Sequence, residues 1–86
     1  MKTIEVQLFG AFSELVPERV LQVDVEGDLV GDLRRAMQVQ LMEGWPSFRN
    51  GLLAYSAFAD ERRVLRDGER LPEDGRVAVL PPVSGG

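Results

Sequence analysis

Only one long stretch of the chain repeats its apolar residues at helical spacing. In "EGDLVGDLRRAMQVQLMEG", Leu29, Leu33, Met37 and Leu41 recur every four residues, with Val30 and Ala36 flanking them. That is the signature of a helix with one buried face. Asp28 stands where an N-cap belongs, and Asp32 puts negative charge in the first turn, where the helix dipole favours it. Gly44 followed by Trp45-Pro46 is a stop signal. A lone helix cannot bury its stripe against itself, so the rest of the chain must supply a sheet for it to lie on.

The rest reads as strands. "TIEVQLF" alternates Ile4, Val6 and Leu8 with Thr3, Glu5, Gln7 and Phe9, and "RVLQVDV" sets Leu21, Val23 and Val25 opposite Val20, Gln22 and Asp24. Period two marks half-buried strands, and their closeness in sequence predicts an antiparallel hairpin. "GAFSELVPE" between them, broken by Gly10 and Pro17, is a connection with room for a short helical turn. After Asn50-Gly51, "LLAYSAFA" predicts a third strand, "RRVL" a short fourth and "RVAVL" the last. Asp67-Gly68 and Asp74-Gly75 are turn signals with Leu71 between them as a core anchor. Trp45 and Phe48 are expected to pack under the loop after the helix rather than to form a stacking site. The order β-β-α-β-β-β, one helix across a mixed sheet of four to five strands, is α+β architecture.

Composition narrows the function. Eighty-six residues suit one domain with a modest core, and 44% apolar against 28% charged residues is a globular balance. A net charge of −4 argues against a nucleic-acid partner, which needs a basic face. No apolar run is long enough to span a bilayer, and "MKTIEVQLFG" lacks a signal peptide's apolar stretch, so no membrane partner and a cytoplasmic location are expected. There is no Cys and no His. That removes thiolate nucleophiles, imidazole bases and nearly every structural zinc design, so neither a metal site nor a bound cofactor is expected. The carboxylates sit in turn-like contexts such as "ADERR" and "LRDGERLPEDG". An independent enzyme is not the expectation.

The ending, "VLPPVSGG", carries the remaining chemistry. Pro81-Pro82 cannot donate to a ladder and fixes two φ angles, so the sheet must stop at Leu80 and the chain is stiffened beyond it. At about 3.1–3.4 Å per residue, residues 81–86 reach roughly 20 Å. Gly85 and Gly86 lack Cβ atoms, so the tip is slender enough to thread a narrow tunnel. A terminal carboxylate, with an ordinary pKa of about 3.3–3.7, is ionised and a poor electrophile. An ATP-using partner could make it an acyl-adenylate, and a sulfide donor could then leave a thiocarboxylate. Taken alone, a terminal Gly-Gly is a weak signal, because frayed ends often carry it. The residues thus divide into a domain, 1–80, and an extended tail, 81–86.

With "VQLFGAFSELV", "DLVGDLRRAM" and "LPEDGRVAVLPPVSGG" in place, the chain resembles the small, sulfur-carrying subunit of molybdopterin synthase. That family belongs to the ubiquitin-like β-grasp sulfur carriers, as does the thiamine sulfur carrier, which shares Gly-Gly but usually lacks Pro-Pro. The resemblance implies a β-grasp fold and a co-substrate role. A ubiquitin-activating-type adenylating enzyme would use ATP to activate Gly86, and a sulfurtransferase system would deliver sulfur to it. Pro81, Pro82, Val83, Ser84 and Gly85 would then thread the active site of the large subunit of molybdopterin synthase. There the sulfur would pass to cyclic pyranopterin monophosphate, the catalytic residues lying on the partner. Where the family often has Thr at the helix start this chain has Leu29, leaving the cap to Asp28.

Strand parity adds an interface. If Ile4, Val6, Val77 and Val79 face the helix, Phe9 and Leu80 point the other way on neighbouring strands, and Val64 can join them. A contiguous apolar patch beside the tail is a docking surface. Three other readings share parts of this pattern. They are a carrier serving thiamine or another thiolated metabolite, a ubiquitin-like modifier joined through Gly86 to lysines, and a plain binding module with an incidental Gly-Gly.

Overall fold

The alternation of the first 25 residues becomes an antiparallel ribbon. β1 (Lys2–Leu8) and β2 (Val20–Val25) pair in register from Lys2↔Val25 to Gln7↔Val20. Ile4, Val6 and Leu8 are buried with Leu21, Val23 and Val25 on one face, as period two requires. The connection holds a short helix, α1 (Ala11–Leu15), which places Phe12 in the core. The computed structural model describes residues 2–45 and 50–81; Phe48 and tail residues 82–86 lie outside it.

The long helix is α2 (Val30–Gly44), and its buried residues are Val30, Leu33, Met37 and Leu41. Leu29, expected at the head of the buried stripe, is instead 39% exposed, and Val30 takes its place. The cause is how the helix begins. Leu29 is extended (φ −103°, ψ 154°) and is itself the N-cap residue, with its N–H donated to Asp32 Oδ2 at 3.1 Å. The next two N–H groups, of Val30 and Gly31, donate to the carbonyls of Glu69 and Asp67, each at 2.9 Å. Distant main chain thus satisfies the donors that a helix start leaves open. Asp28, expected as the cap, pairs with Lys2 Nζ at 3.0 Å instead. At the other end Gly44 stays helical, and Trp45 turns extended with its N–H on Leu41 O at 2.9 Å. A residue preceding proline disfavours the helical region, which accounts for that end. Trp45 packs, partly buried, against the core.

Residues 52–59 do not make the single strand expected of them. They divide into the end of α3 (Asn50–Ala54) and β3 (Ala57–Ala59). Leu53 is fully buried and Leu52 partly so, a pairing of adjacent side chains that a strand would send to opposite faces. Ser56 Oγ donates back to Leu52 O, and Arg34 reaches over from α2 to donate through Nη1 to Leu53 O (2.6 Å) and Ser56 O (2.9 Å). The same guanidinium binds Asp67 through Nε (3.1 Å) and Nη2 (2.9 Å) and lies 4.9 Å from the Phe58 ring centroid. One largely buried side chain therefore joins α2, α3, β3 and the turn at Asp67.

β4 (Val64–Leu65) pairs antiparallel with β3. Leu71 is buried as expected, and Gly75 turns the chain at φ +72°, a conformation glycine adopts without cost. Gly75 O accepts the Glu5 N–H at 2.7 Å, and from there β5 (Arg76–Leu80) runs parallel to β1 and antiparallel to β3. The five-stranded mixed sheet has the order β2-β1-β5-β3-β4, with the last strand in the middle. The expected architecture holds, with two short helices added to the expected element order. No helix among the described residues is long and apolar enough to cross a membrane.

Two outcomes follow from these contacts. Arg34→Met, which keeps the stem and removes the donors, should destabilise the fold by about 2–3 kcal/mol in urea unfolding, because it strands two carbonyls and unpairs Asp67. Glu69 accepts from Arg63 (2.5 Å) and from the Arg66 N–H (2.6 Å), and these hold its carboxyl below the ordinary value. A depressed carboxyl contributes stability that is complete above its unfolded pKa and is lost as pH falls through the folded one. Melting temperatures taken from about pH 6 down to about pH 3 should therefore fall less steeply in Glu69→Gln than in the wild type.

Candidate functional site at the end of the central strand

Every strand sends alternate residues to the face that α2 does not cover, and their pairings order them into rows. One row runs Gln7–Ala78–Ala59–Val64 across β1, β5, β3 and β4. In the next, Leu80 pairs with Ala57. Extending the Leu8↔Val79 register by one residue sets Phe9 beside Leu80. Phe9 is 46% exposed, Leu80 37% and Val64 56%, while Ala57, Ala59 and Ala78 between them are partly exposed. Phe9 and Leu80 adjoin, and Val64 lies two strands from Leu80, linked to it through the alanines. An aromatic and two aliphatic groups joined by small residues make an apolar surface against which a flat partner can seat closely. It ends at the Glu5–Arg76 pair, 3.7 Å apart.

The tail leaves from this surface. Leu80 is the last residue of β5, so the chain departs from the middle of the sheet, between Phe9 and Ala57. Pro81 is half-buried against Gly10. Pro82, Val83, Ser84, Gly85 and Gly86 lie outside the described residues. Among the described residues, no three His, Cys, Asp or Glu side chains gather as a metal ion would need. A depression of about 490 Å³ beside Phe9, lined also by Gln7, Gly10, Ser13, Arg19 and Val20, is open to solvent. Asp60 accepts the Arg62 and Arg63 N–H groups at 2.8 and 2.9 Å, which hold its carboxyl below the ordinary value. Its work is to shape the β3–β4 turn.

Sequence parity found Phe9, Leu80 and Val64 but missed the alanines of β3, because one strand was read through residues 52–59. It also missed the close approach of Gly10 to Pro81, a residue 71 positions away. Arg34 carried no signal beyond its place on the helix.

A five-stranded mixed sheet in the order β2-β1-β5-β3-β4, one long helix over one face and a glycine-ended tail after the central strand define a ubiquitin-like β-grasp protein of the sulfur-carrier type. The ThiS family matches residues 6–86, and the chain belongs to that family. The crystal structure of SAMP1 from Haloferax volcanii is similar, with a TM-score of 0.67 and 29% identity over 99% of this chain and 100% of that one. The solution structure of the Haloferax volcanii HVO 2177 protein has a TM-score of 0.62 and 24% identity, covering 98% of this chain and 88% of that one, and shows the shared fold. No curated protein matches the sequence. Carriers of this class are generally not catalysts themselves, and they work with adenylating enzymes of the ubiquitin-activating type and with sulfur-transfer partners.

The two faces of the sheet predict opposite responses to one substitution. Phe9→Asp and Leu80→Asp should leave the unfolding free energy from urea titration within about 0.5 kcal/mol of wild type. Val79→Asp, one residue away on the buried face, should cost more than about 4 kcal/mol, because it places an unpaired carboxylate in the core.

Proposed function

We propose that this chain carries sulfur as a thiocarboxylate on Gly86 and donates it to cyclic pyranopterin monophosphate in the active site of the large subunit of molybdopterin synthase. The observation that carries the reading is the family match, which runs through the tail to Gly86 on a chain with no cysteine. Pro81-Pro82 ahead of Val83-Ser84-Gly85-Gly86 supports molybdopterin synthesis over thiamine synthesis. In this reading residues 1–80 are the docking domain and residues 81–86 the tail that threads the partner.

The chemistry needs only the tail and its partners. A carboxylate oxygen of Gly86 attacks the α-phosphorus of ATP held by the adenylating enzyme, and pyrophosphate leaves. Hydrosulfide supplied by the sulfurtransferase system then attacks the acyl carbon, displaces AMP and loses its proton, leaving the thiocarboxylate. ATP is bound by the partner and none by this chain. The surface at Phe9, Leu80 and Val64 seats the partner while the tail reaches past it. Burying apolar area there contributes affinity at about 25 cal/mol per Å² before the cost of association.

Intact-protein mass spectrometry tests the carrier step. After incubation with ATP, a sulfur donor and the adenylating enzyme of the same organism, the chain should gain the mass of one oxygen replaced by sulfur. A variant lacking Gly86 should gain nothing. Mixed with the large subunit and cyclic pyranopterin monophosphate, the thiolated chain should yield the dithiolene pterin and return as carboxylate. Phe9→Asp should bind that subunit at least about tenfold more weakly. An unchanged mass, with the enzyme active on another carrier, would refute the reading. Thiolation without pterin product would move the chain to another sulfur pathway, and ladders of conjugated proteins would make it a modifier.

A further inference from the structure

Gly10 stands where β1 gives way to α1, with φ +58° and ψ −130°, a backbone conformation that is open to glycine and strained for L-residues bearing a Cβ. The same residue faces the root of the tail. A Cβ at position 10 would lie 2.7 Å from Pro81 Cγ, 3.5 Å from Cδ and 3.8 Å from Cβ. These atoms belong to a ring closed on its own main chain, so they cannot swing aside as a free side chain can. Room for a methyl group must come from a change of ring pucker, from the backbone after Leu80 or from the turn at Gly10. The turn is held in place. Ser13 donates to Gly10 O through both its N–H (3.0 Å) and its Oγ (2.8 Å), and the Phe12 N–H donates to Phe9 O at 3.2 Å. The strands on either side are in fixed register through Leu8↔Val79.

We propose that Gly10 is a positioning residue for the reaction at Gly86: by leaving space for the Pro81 ring, it sets the direction in which the tail departs from β5. The inference rests on the carrier reading above and adds a residue to it. The docking surface fixes where the domain sits, and the Gly10–Pro81 contact fixes where the tail is aimed from that seat. The reacting carboxylate follows Pro81 by five residues in the sequence, so a changed departure at the root is expected to alter its presentation. Misplacement of a reacting group lowers the rate of its reaction more than the binding of the molecule that carries it.

The test is ATP–pyrophosphate exchange by the adenylating enzyme, with wild type, Gly10→Ala, Pro81→Ala and the double variant as substrates. Each is melted in parallel, and nuclear Overhauser contacts between Gly10 Hα and Pro81 Hγ are measured in the wild type. The contact should be present. Gly10→Ala should lower kcat at least about tenfold while KM changes less than about threefold. Pro81→Ala should lower kcat by a smaller factor, again at little changed KM, because the tail loses its rest. The double variant should return to the kcat of Pro81→Ala alone, although its melting temperature stays low because the strain at residue 10 remains.

Wild-type kcat in Gly10→Ala, losses that multiply in the double variant, or a kcat that merely follows the melting temperature would overturn the inference, leaving Gly10 to the fold alone. If Gly10→Ala does not fold, the wild-type contact and Pro81→Ala decide. A missing contact or an unaltered kcat overturns the proposal, and a contact with lowered kcat at steady KM supports it. A wild-type chain that is not activated at all, by an enzyme active on another carrier, overturns the carrier reading and this role together. Failure of the inference alone leaves the wild type fully activated.

Discussion

The parallel pairing of the first strand with the last is the constraint on which the rest of the molecule depends. β5 takes the middle of the sheet with β1 on one side and β3 on the other, so the central position is filled by residues that come last in the chain. A parallel pair cannot be joined by a tight turn, and everything from Phe9 to Gly75 serves as the crossover. The long helix belongs to that crossover and covers one face, while the other face is left to solvent. The same pairing fixes the site. Because β5 is central and is the last strand, the chain leaves it between two neighbours rather than from a free edge.

Holding the crossover on the sheet falls to a few polar groups. The start of α2 is tied to the 67–71 segment by main-chain bonds at Val30, Gly31 and Leu71, and Arg34 adds its bonds to Asp67, Leu53 and Ser56. A guanidinium with most of its donors engaged can be largely buried without leaving its charge unpaired. Residues 53–58 and the turn at Asp67 are both well separated in sequence from Arg34, so one side chain sets how α3, β3 and the 67–71 turn lie against α2. Exposed pairs such as Lys2–Asp28 contribute little beside it.

The sheet divides its labour by face. Residues of one parity, with the helix, form the core. Those of the other parity form an apolar surface held rigid by the core behind it, and the tail leaves from that surface. Under the proposed function, a seat for the partner and the root of the tail would be built by different residues, Phe9, Leu80 and Val64 for the one and Gly10 and Pro81 for the other.

Most of the architecture was legible because periodicity is local. The period-two runs at Ile4–Leu8, Leu21–Val25 and Val77–Val79, and the helical spacing through Leu33, Met37 and Leu41, each state which side chains share a face before any partner is known. From them came the hairpin, the single long helix, the α+β class and the outward direction of Phe9 and Leu80. Pro81-Pro82 marked the end of the sheet, since proline cannot continue a ladder. What remained hidden was whatever depends on groups far apart in sequence. Leu29 left the buried stripe because the carbonyls of Glu69 and Asp67 took over capping from Asp28. Residues 52–54 became helical because Arg34 and the core hold the carbonyl and side chain of Leu53. Gly10 gained a role because Pro81 comes to rest on it. The sequence by itself determined the first two strands, the last strand and the body of the long helix, and which face each of them buries, because those follow from repeats of a few residues. Tertiary structure alone decided how the helices are capped, where the third strand begins and what lies beneath the root of the tail, because each requires a hydrogen bond or a close approach across the fold.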